Sequence, residues 1–525
     1  MNTRRRSSIN VPLFSLASTS SWGIGEFLDL PVFARWLKDA GQAAIQILPI
    51  TEMPPGERSP YSAMTSMALD PIYISMYPQE DFGGIGGDLA MDEHEAAALA
   101  ACRAAPRIDY AGVRDVKERW LRRGFERFLR LEIARRTPRA RRFEQFQDAE
   151  SWWLDEYAVF RALHARAGEA PWWSWPPGLA ARDERALADA CEVLHLEITF
   201  RKYLQWVAAE QWAEARRRCW PVQVLGDLPF MTAKDSPDVW ARQDQFRFDA
   251  TVGAPPDEYS ETGQDWGLPP WRWERFVETD FEWMRARARR NATLFDGLRL
   301  DHLVGLYRTY VRPLDAGVPP HFEPPSEPAQ LRLGEAIVRI FLESGLEVVA
   351  EDLGTVPHFV RASIARLGIP GFKVIRWERA WKEDRQPFID PRVYPEVSVA
   401  MTGLHDLETL AVWWEGLSSD DRAAVLAIPS VAEHVGGRAP TGEVVRDALI
   451  RAVLGSRSAL VSFPVQDLFG WRDRINIPAT VSDDNWGWRV PWPVDQWERE
   501  PAAVACAAAM KAATRAAGRL VCEGI

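Results

Sequence analysis

Leu298-Arg299-Leu300-Asp301-His302 is a short apolar run that ends in a carboxylate, and its pattern recurs along the chain. Similar runs are Ala44 to Leu48 before Pro49, Val222 to Leu225 before Gly226-Asp227, Glu347 to Ala350 before Glu351-Asp352, and Val397 to Leu404 before His405-Asp406. Helical periodicity follows each run, as expected where strands and helices alternate around a parallel sheet. Any one such acid is explained equally well by a helix cap or a local salt bridge. Four in order are better explained by a (β/α)₈ barrel of the α/β class, whose strands all end on one face and bring acids distant in sequence into one pocket. Asp301, Glu351 and Asp406 are about fifty residues apart, a spacing of one to two βα units.

The chain has 525 residues, 47% of them hydrophobic, enough for a large core. We expect one catalytic barrel over 1–525. Between Asp88 and Val222 the pattern turns to long helical stretches such as Asp115 to Glu132 and Glu192 to Arg218, which predicts a mainly helical insertion over 88–221. The arginines from Arg139 to Arg142 read there as solvated helix surface. The Gly-rich stretch Gly83 to Gly87 reads as a turn, since it completes no phosphate fingerprint. Ala502 to Gly518 reads as a closing helix.

A formal charge of -11 argues against nucleic acid, which requires a basic surface. Cys102, Cys191, Cys219, Cys506 and Cys522 show no spacing for a metal site or a disulfide framework, so a reduced, cytoplasmic protein is expected. Val11 to Ala17 is too short for a signal sequence, and no run of about 18 apolar residues predicts a membrane span. No metal or cofactor is expected. The 25 tryptophans are mostly core, with some suited to stacking on sugar rings.

Retaining cleavage of a glycosidic bond needs one carboxylate to attack the anomeric carbon and a second, protonated one to serve the leaving oxygen. Arg299, two residues before Asp301 on the same strand face, can keep that carboxylate ionised, which suits a nucleophile. Glu351 closes the apolar run Val348-Val349-Ala350, where desolvation raises a carboxyl pKa and retains the proton of a general acid. Asp406 is the third acid, a stabiliser of the oxocarbenium-like transition state. His302 and His405, each adjoining a candidate acid, are hydroxyl donors.

At these residues the chain resembles the 4-α-glucanotransferases, the amylomaltases and disproportionating enzymes of the α-amylase clan. The matching segments are Ser59-Pro60-Tyr61, Gly226-Asp227-Leu228-Pro229, Asp235-Ser236 through Trp240, Gly253 to Pro256, Ser260-Glu261-Thr262-Gly263-Gln264, Trp266-Gly267, Arg299 to His302, Ala350 to Gly354, Gly368-Ile369-Pro370-Gly371 and His405-Asp406. The resemblance implies a (β/α)₈ barrel with helical insertions and no separate C-terminal β domain. It implies Asp301 as nucleophile, Glu351 as acid/base and Asp406 as stabiliser, with Asp227, Arg299, His302 and His405 around the sugar at the cleavage point. Tyr61 falls in a matching segment and is a further candidate for substrate binding. A loop over 253–273, carrying Tyr259, Gln264 and Trp266, is expected to hang over the groove. The implied partners are an α-1,4-glucan or maltooligosaccharide donor and a glucose or maltodextrin acceptor, handled by a monomer or small homo-oligomer. Glu258, Leu268 and Leu407-Glu408 depart from the usual pattern at positions flanking the cleavage point.

Rival readings are a hydrolase using the same covalent step, a magnesium-dependent barrel of the enolase type with three acids as ligands, and a glucan-binding protein without catalysis. For the magnesium enzyme the nearest candidate base is Lys373, which follows Gly371-Phe372 in a loop-like context.

Overall fold

The protein was analysed as a computed structural model, which describes residues 5–256, 262–478 and 480–520. Among the described residues twelve strands occur in chain order: β1 Arg6–Asn10, β2 Ala44–Gln46, β3 Gln223–Leu228, β4 Ala250–Ala254, β5 Gln264–Leu268, β6 Gly297–Leu300, β7 Thr309–Pro313, β8 His321–Glu323, β9 Glu347–Ala350, β10 Gly371–Val374, β11 Ser398–Met401 and β12 Leu460–Pro464. Eight of them close into a barrel in the order β1-β12-β11-β10-β9-β6-β3-β2, every pair parallel. This is the α/β barrel expected from the repeated strand-then-acid pattern.

The barrel interior is layered. At the floor, the Arg6 guanidinium crosses the lumen to pair with Glu347 and hydrogen-bonds Gln223. Above it Ala44, Leu225, Val349, Val399 and Leu460 belong to an apolar cluster of their own, distinct from the larger core between strands and helices. Because side chains alternate along a strand, the next inward positions above Leu225 and Val349 are Asp227 and Glu351. The residue types thus change from apolar to charged at the strands' C-terminal ends.

Register fixes the neighbours. Asp227 on β3 is directly opposite Arg299 on β6, and Leu300 is opposite Ala350 on β9, so Asp301 and Glu351 leave adjacent strands at the same height. Gly226 is required where it stands: a Cβ there would come within 2.4 Å of the Phe295 ring, forcing β3 and Asp227 out of line.

Lys373 lies within β10, not in a loop, and its ammonium pairs with Glu378 at 3.1 Å. The preceding Pro370-Gly371 reads as a turn, yet Gly371 already begins the strand. Asp227, read as following its strand, lies inside β3.

The chain between β2 and β3 includes helices Glu93–Ala104, Tyr110–Phe128, Pro138–Arg166, Glu184–Val193 and His195–Cys219. The 29-residue helix begins at Pro138, pre-set for the first turn, with Thr137 Oγ1 accepting from Ala140 N–H at 3.2 Å. Arg139 differs from the solvated reading. It is buried and donates to Asp81, a fully enclosed carboxylate that also receives Arg127 and the Tyr203 hydroxyl. Arg141 and Arg142 are exposed as expected. Gly83-Gly84 end a short helix, Glu80–Gly84, capped by the Gln79 side chain, where a simple turn was expected.

The segment over 253–273 is not a plain loop in its described part. β4 and β5 pair antiparallel and join β7 and β8 in a four-stranded sheet of order β5-β4-β7-β8. Its alternation is interrupted by Gly267, which adopts φ +67, and the pairing partners arrive from distant chain. The C-terminal helix is Pro501–Ala516. Among the described residues the cysteines are free and no helix is long and apolar enough to cross a membrane.

Candidate active site

A cavity of about 430 Å³ opens on the C-terminal face of the barrel. Tyr61, Trp266, Arg299, Asp301, His302, Glu351, His405 and Asp406 all line it. The three acids arrive on the ends of β6, β9 and β11, with β9 next to β6 and β10 standing between β9 and β11.

Arg299 is the hub. Its Nη1 lies 2.7 Å from both Asp227 oxygens, 2.9 Å from Asp301 Oδ1 and 3.2 Å from the Tyr61 hydroxyl. Burial alone would lower its pKa, but Asp227, Tyr61, Asp301 and Glu351 outweigh it, so the guanidinium stays charged. Tyr61 in turn donates to Asp227 Oδ2 at 2.8 Å. The Asp227 carboxylate is fully enclosed beneath this pair, so it acts on the cavity through Arg299 and Tyr61.

Glu351 has the opposite surroundings. Burial pushes its carboxyl up to about 7; Arg299 opposes that rise and Asp301 adds to it. Two main-chain donors fix it, His302 N–H to Oε2 at 2.7 Å and Leu353 N–H to Oε1 at 3.2 Å. His302 itself adopts φ +45, in the left-handed region. Its ring packs edge-on against Trp266 (centroids 4.9 Å) and Phe230 (5.2 Å), and burial lowers it to about 4, leaving a neutral imidazole at pH 7.

Asp406 is held ionised. Burial would raise it, but His405, Asn476 and Arg299 together bring it to about 2. His405 Nε2 lies 3.1 Å from Oδ2, and Asn476 Nδ2 donates to Oδ1. The His405 ring stacks on Tyr61 (5.1 Å, 22°) and is flanked by Trp486 at 5.7 Å.

Gln264 lies outside the cavity wall but accepts from the Trp266 indole N–H at 3.1 Å, steadying that ring. Tyr259 and Glu258 lie outside the described residues. Leu268 lines the cavity, Leu407 packs on the apolar barrel interior, and Glu408 pairs with Arg376 at 3.3 Å. Reading the sequence did not find Phe230, Asn476 or Trp486. Asn476 and Trp486 come from the chain beyond β12, about seventy residues or more after Asp406, with no local signal tying them to it. The cation among the acids is a fixed guanidinium, and Lys373 is committed to Glu378, so the donor set does not match the magnesium-and-lysine arrangement of the enolase type.

A barrel with two carboxylates on adjacent strand ends, one against a guanidinium and one protonated up to neutral pH, is the arrangement of glycoside-processing enzymes that work through a carboxylate pair. A profile of the 4-alpha-glucanotransferase family matches residues 11–495, and the chain belongs to that family. It is 32% identical to the 4-alpha-glucanotransferase of Synechocystis over 91% of this chain and 93% of that one, and 32% identical to that of Chlamydia caviae over 93% and 91%. The structure superposes on the amylomaltase of Streptococcus agalactiae, solved with acarbose, with a TM-score of 0.83, 25% identity and coverage of 99% and 100%.

Proposed function

We propose that this chain is a 4-α-glucanotransferase in which Asp301 attacks the anomeric carbon of a maltooligosaccharide donor while Glu351 protonates the departing glycosidic oxygen. The C1–O bond breaks, an ester between glucosyl C1 and Asp301 forms, and the shortened glucan leaves with the Glu351 proton. Glu351, now a carboxylate, takes the proton from the 4-OH of glucose or another maltodextrin. That oxygen bonds to C1 and frees Asp301, so two inversions give retention. Asp406 stabilises the positive charge that develops on the sugar ring. Tyr61, Arg299, His302 and His405 hold the ring at the cleavage point, with Asp227 acting on it through Arg299 and Tyr61, and Trp266, steadied by Gln264, shapes the acceptor side; Tyr259 is assigned to substrate binding as well.

The observation that carries this reading is the contrast between the neighbouring acids, Asp301 on a guanidinium and Glu351 with its proton retained to about pH 7. The Streptococcus agalactiae amylomaltase was solved in complex with acarbose, which supports a ligand of that kind for this chain. We read 1–525 as one catalytic barrel, 88–221 as a helical insertion and 253–273 as the cover of the groove. The free cysteines among the described residues favour a reducing compartment such as the cytoplasm. We read the assembly as a monomer or small homo-oligomer.

Maltotriose as sole substrate decides between transfer and hydrolysis. Transfer yields glucose plus maltodextrins longer than the substrate, with total reducing ends constant, since each event breaks one bond and makes one. A steady rise in reducing ends with no longer product overturns the assignment.

A further inference from the structure

Behind the loop that carries His405-Asp406 runs the chain that follows β12, and the two are tied together by Arg474. Its Nε donates to the Asn476 carbonyl at 2.9 Å and its Nη2 donates to the carbonyl of Asp406 itself. The tie has a second strand: Asn476 N–H donates to the His405 carbonyl at 3.2 Å, and Asn476 Nδ2 reaches the Asp406 carboxylate. Glu408 supplies counter-charge, with Oε2 3.9 Å from Arg474 Nη1 and Oε1 3.3 Å from Arg376 Nη1. Arg376 is anchored in turn on the carbonyls of Thr402 at 2.8 Å and Glu408 at 2.7 Å.

The two anchors on the Asp406 carboxylate differ in kind. His405 is its chain neighbour and reaches Oδ2 locally. Asn476 reaches Oδ1 from another strand end, so its aim depends on how the two loops are aligned. Arg474 sets that alignment, because one planar guanidinium binds a carbonyl of each loop through two nitrogens fixed relative to each other, where an ammonium offers a single point charge. Arg474 does not line the cavity.

We propose that Arg474 is a positioning residue for the glycosyl-transfer reaction: it locks the post-β12 loop to the Asp406 loop and thereby aims the Asp406 carboxylate at the sugar ring, with Glu408 as its counter-ion. The proposal rests on Asp406 acting as the acid that stabilises the transition state. An aim that matters mainly in the transition state acts on kcat and leaves KM largely unchanged. A misplacement on the order of 1 Å costs about 100-fold in rate.

The test is a double-mutant cycle on the full chain, with all four proteins measured on the same donor, maltotriose or, where turnover is low, α-maltosyl fluoride, which needs little leaving-group protonation. Arg474→Gln lowers kcat about 30- to 100-fold with KM within about twofold. Arg474→Lys, which keeps the charge and runs the same cycle should Arg474→Gln fail to fold, lowers it about tenfold. In an Asp406→Asn background either substitution costs less than about twofold more, because the group being aimed is already gone. Equal fold losses in both backgrounds, or a loss that appears in KM and melting temperature with kcat intact, overturn the positioning role. If Asp406→Asn alone leaves kcat within about tenfold, the assignment of Asp406 falls and the proposal falls with it, an outcome distinct from additive losses on an impaired Asp406→Asn.

Discussion

The main-chain N–H of His302 donates to Glu351 Oε2 at 2.7 Å, so the residue directly after Asp301 holds the carboxyl group on the neighbouring strand. Asp301 and Glu351 are thus placed by one short stretch of backbone, in which His302 takes a left-handed φ of +45.

Because Glu351 keeps its proton to about pH 7, kcat/KM for maltotriose should fall as pH rises through that value. In Glu351→Gln this limb should disappear, with natural glucans slowed by about three orders of magnitude or more and an activated fluoride donor slowed far less in its first step. Equal losses for the two donors would remove Glu351 from the acid role.

The same carboxyl has a stability consequence. Its folded pKa is raised above the ordinary 4.5, so its contribution is greatest below that value and is lost as pH rises towards 7. Above pH 7 the fold carries a buried charge whose cost is at most about 3 kcal/mol at 1.36 kcal/mol per pKa unit. Glu351→Gln should therefore gain melting temperature relative to wild type between pH 5 and pH 8. A constant difference across that range would contradict the placement of the group.

Asp301→Asn should abolish turnover while glucan binding and melting temperature stay near wild type, since no other group can form the covalent ester. Arg299→Lys should lower kcat by about two orders of magnitude, because the shorter lysine side chain cannot carry its charge to the position of Nη1, which meets Asp227, Asp301 and Tyr61 together. Steady-state kinetics on maltotriose check both, and activity within tenfold of wild type for Asp301→Asn would end its assignment.

Arg139→Ala should destabilise the protein by about 3 kcal/mol, because it strips a partner from the enclosed Asp81 carboxylate and leaves Arg127 and Tyr203 to carry it. Urea unfolding measures this. A change below about 0.5 kcal/mol would restore the reading of Arg139 as solvated surface.

What could be read in the sequence follows from how local each signal is. The apolar runs before Asp301 and Glu351 state strand, strand end and inward face within five residues, so barrel and acids were legible together. Arg299 was legible for the same reason, being two positions from Asp301 on one strand face. Asn476 and Trp486 meet His405 and Asp406 only because the barrel brings the end of β12 beside β11, and no local pattern records that. Arg139 misled because a helix rich in arginine looks solvated until the buried Asp81, 58 residues earlier, is placed beneath it. β5 was missed because its partner strand supplies the pairing that its own sequence only weakly prefers.

In the proposed mechanism the fate of the Asp301 ester turns on Trp266. Its ring stands edge-on to His302 at 4.9 Å, lines the cavity beside both reacting acids, and is steadied by Gln264. An indole there offers an acceptor sugar a stacking face and keeps disordered water from the ester. Water at about 55 M would otherwise win, but a positioned 4-OH reaches effective molarities of roughly 10⁵ M or more. Removing the ring lowers that figure and admits water at once, so both effects push the same way. Trp266→Ala should therefore raise the share of turnovers that end in hydrolysis by about tenfold or more, seen as reducing ends that accumulate from maltotriose while the ladder of longer products shortens. Gln264→Ala should shift the balance in the same direction by a smaller factor, because it only loosens the ring. If Trp266→Ala slows transfer and hydrolysis equally, the ring serves the glycosylation step and the partition is set elsewhere in the groove.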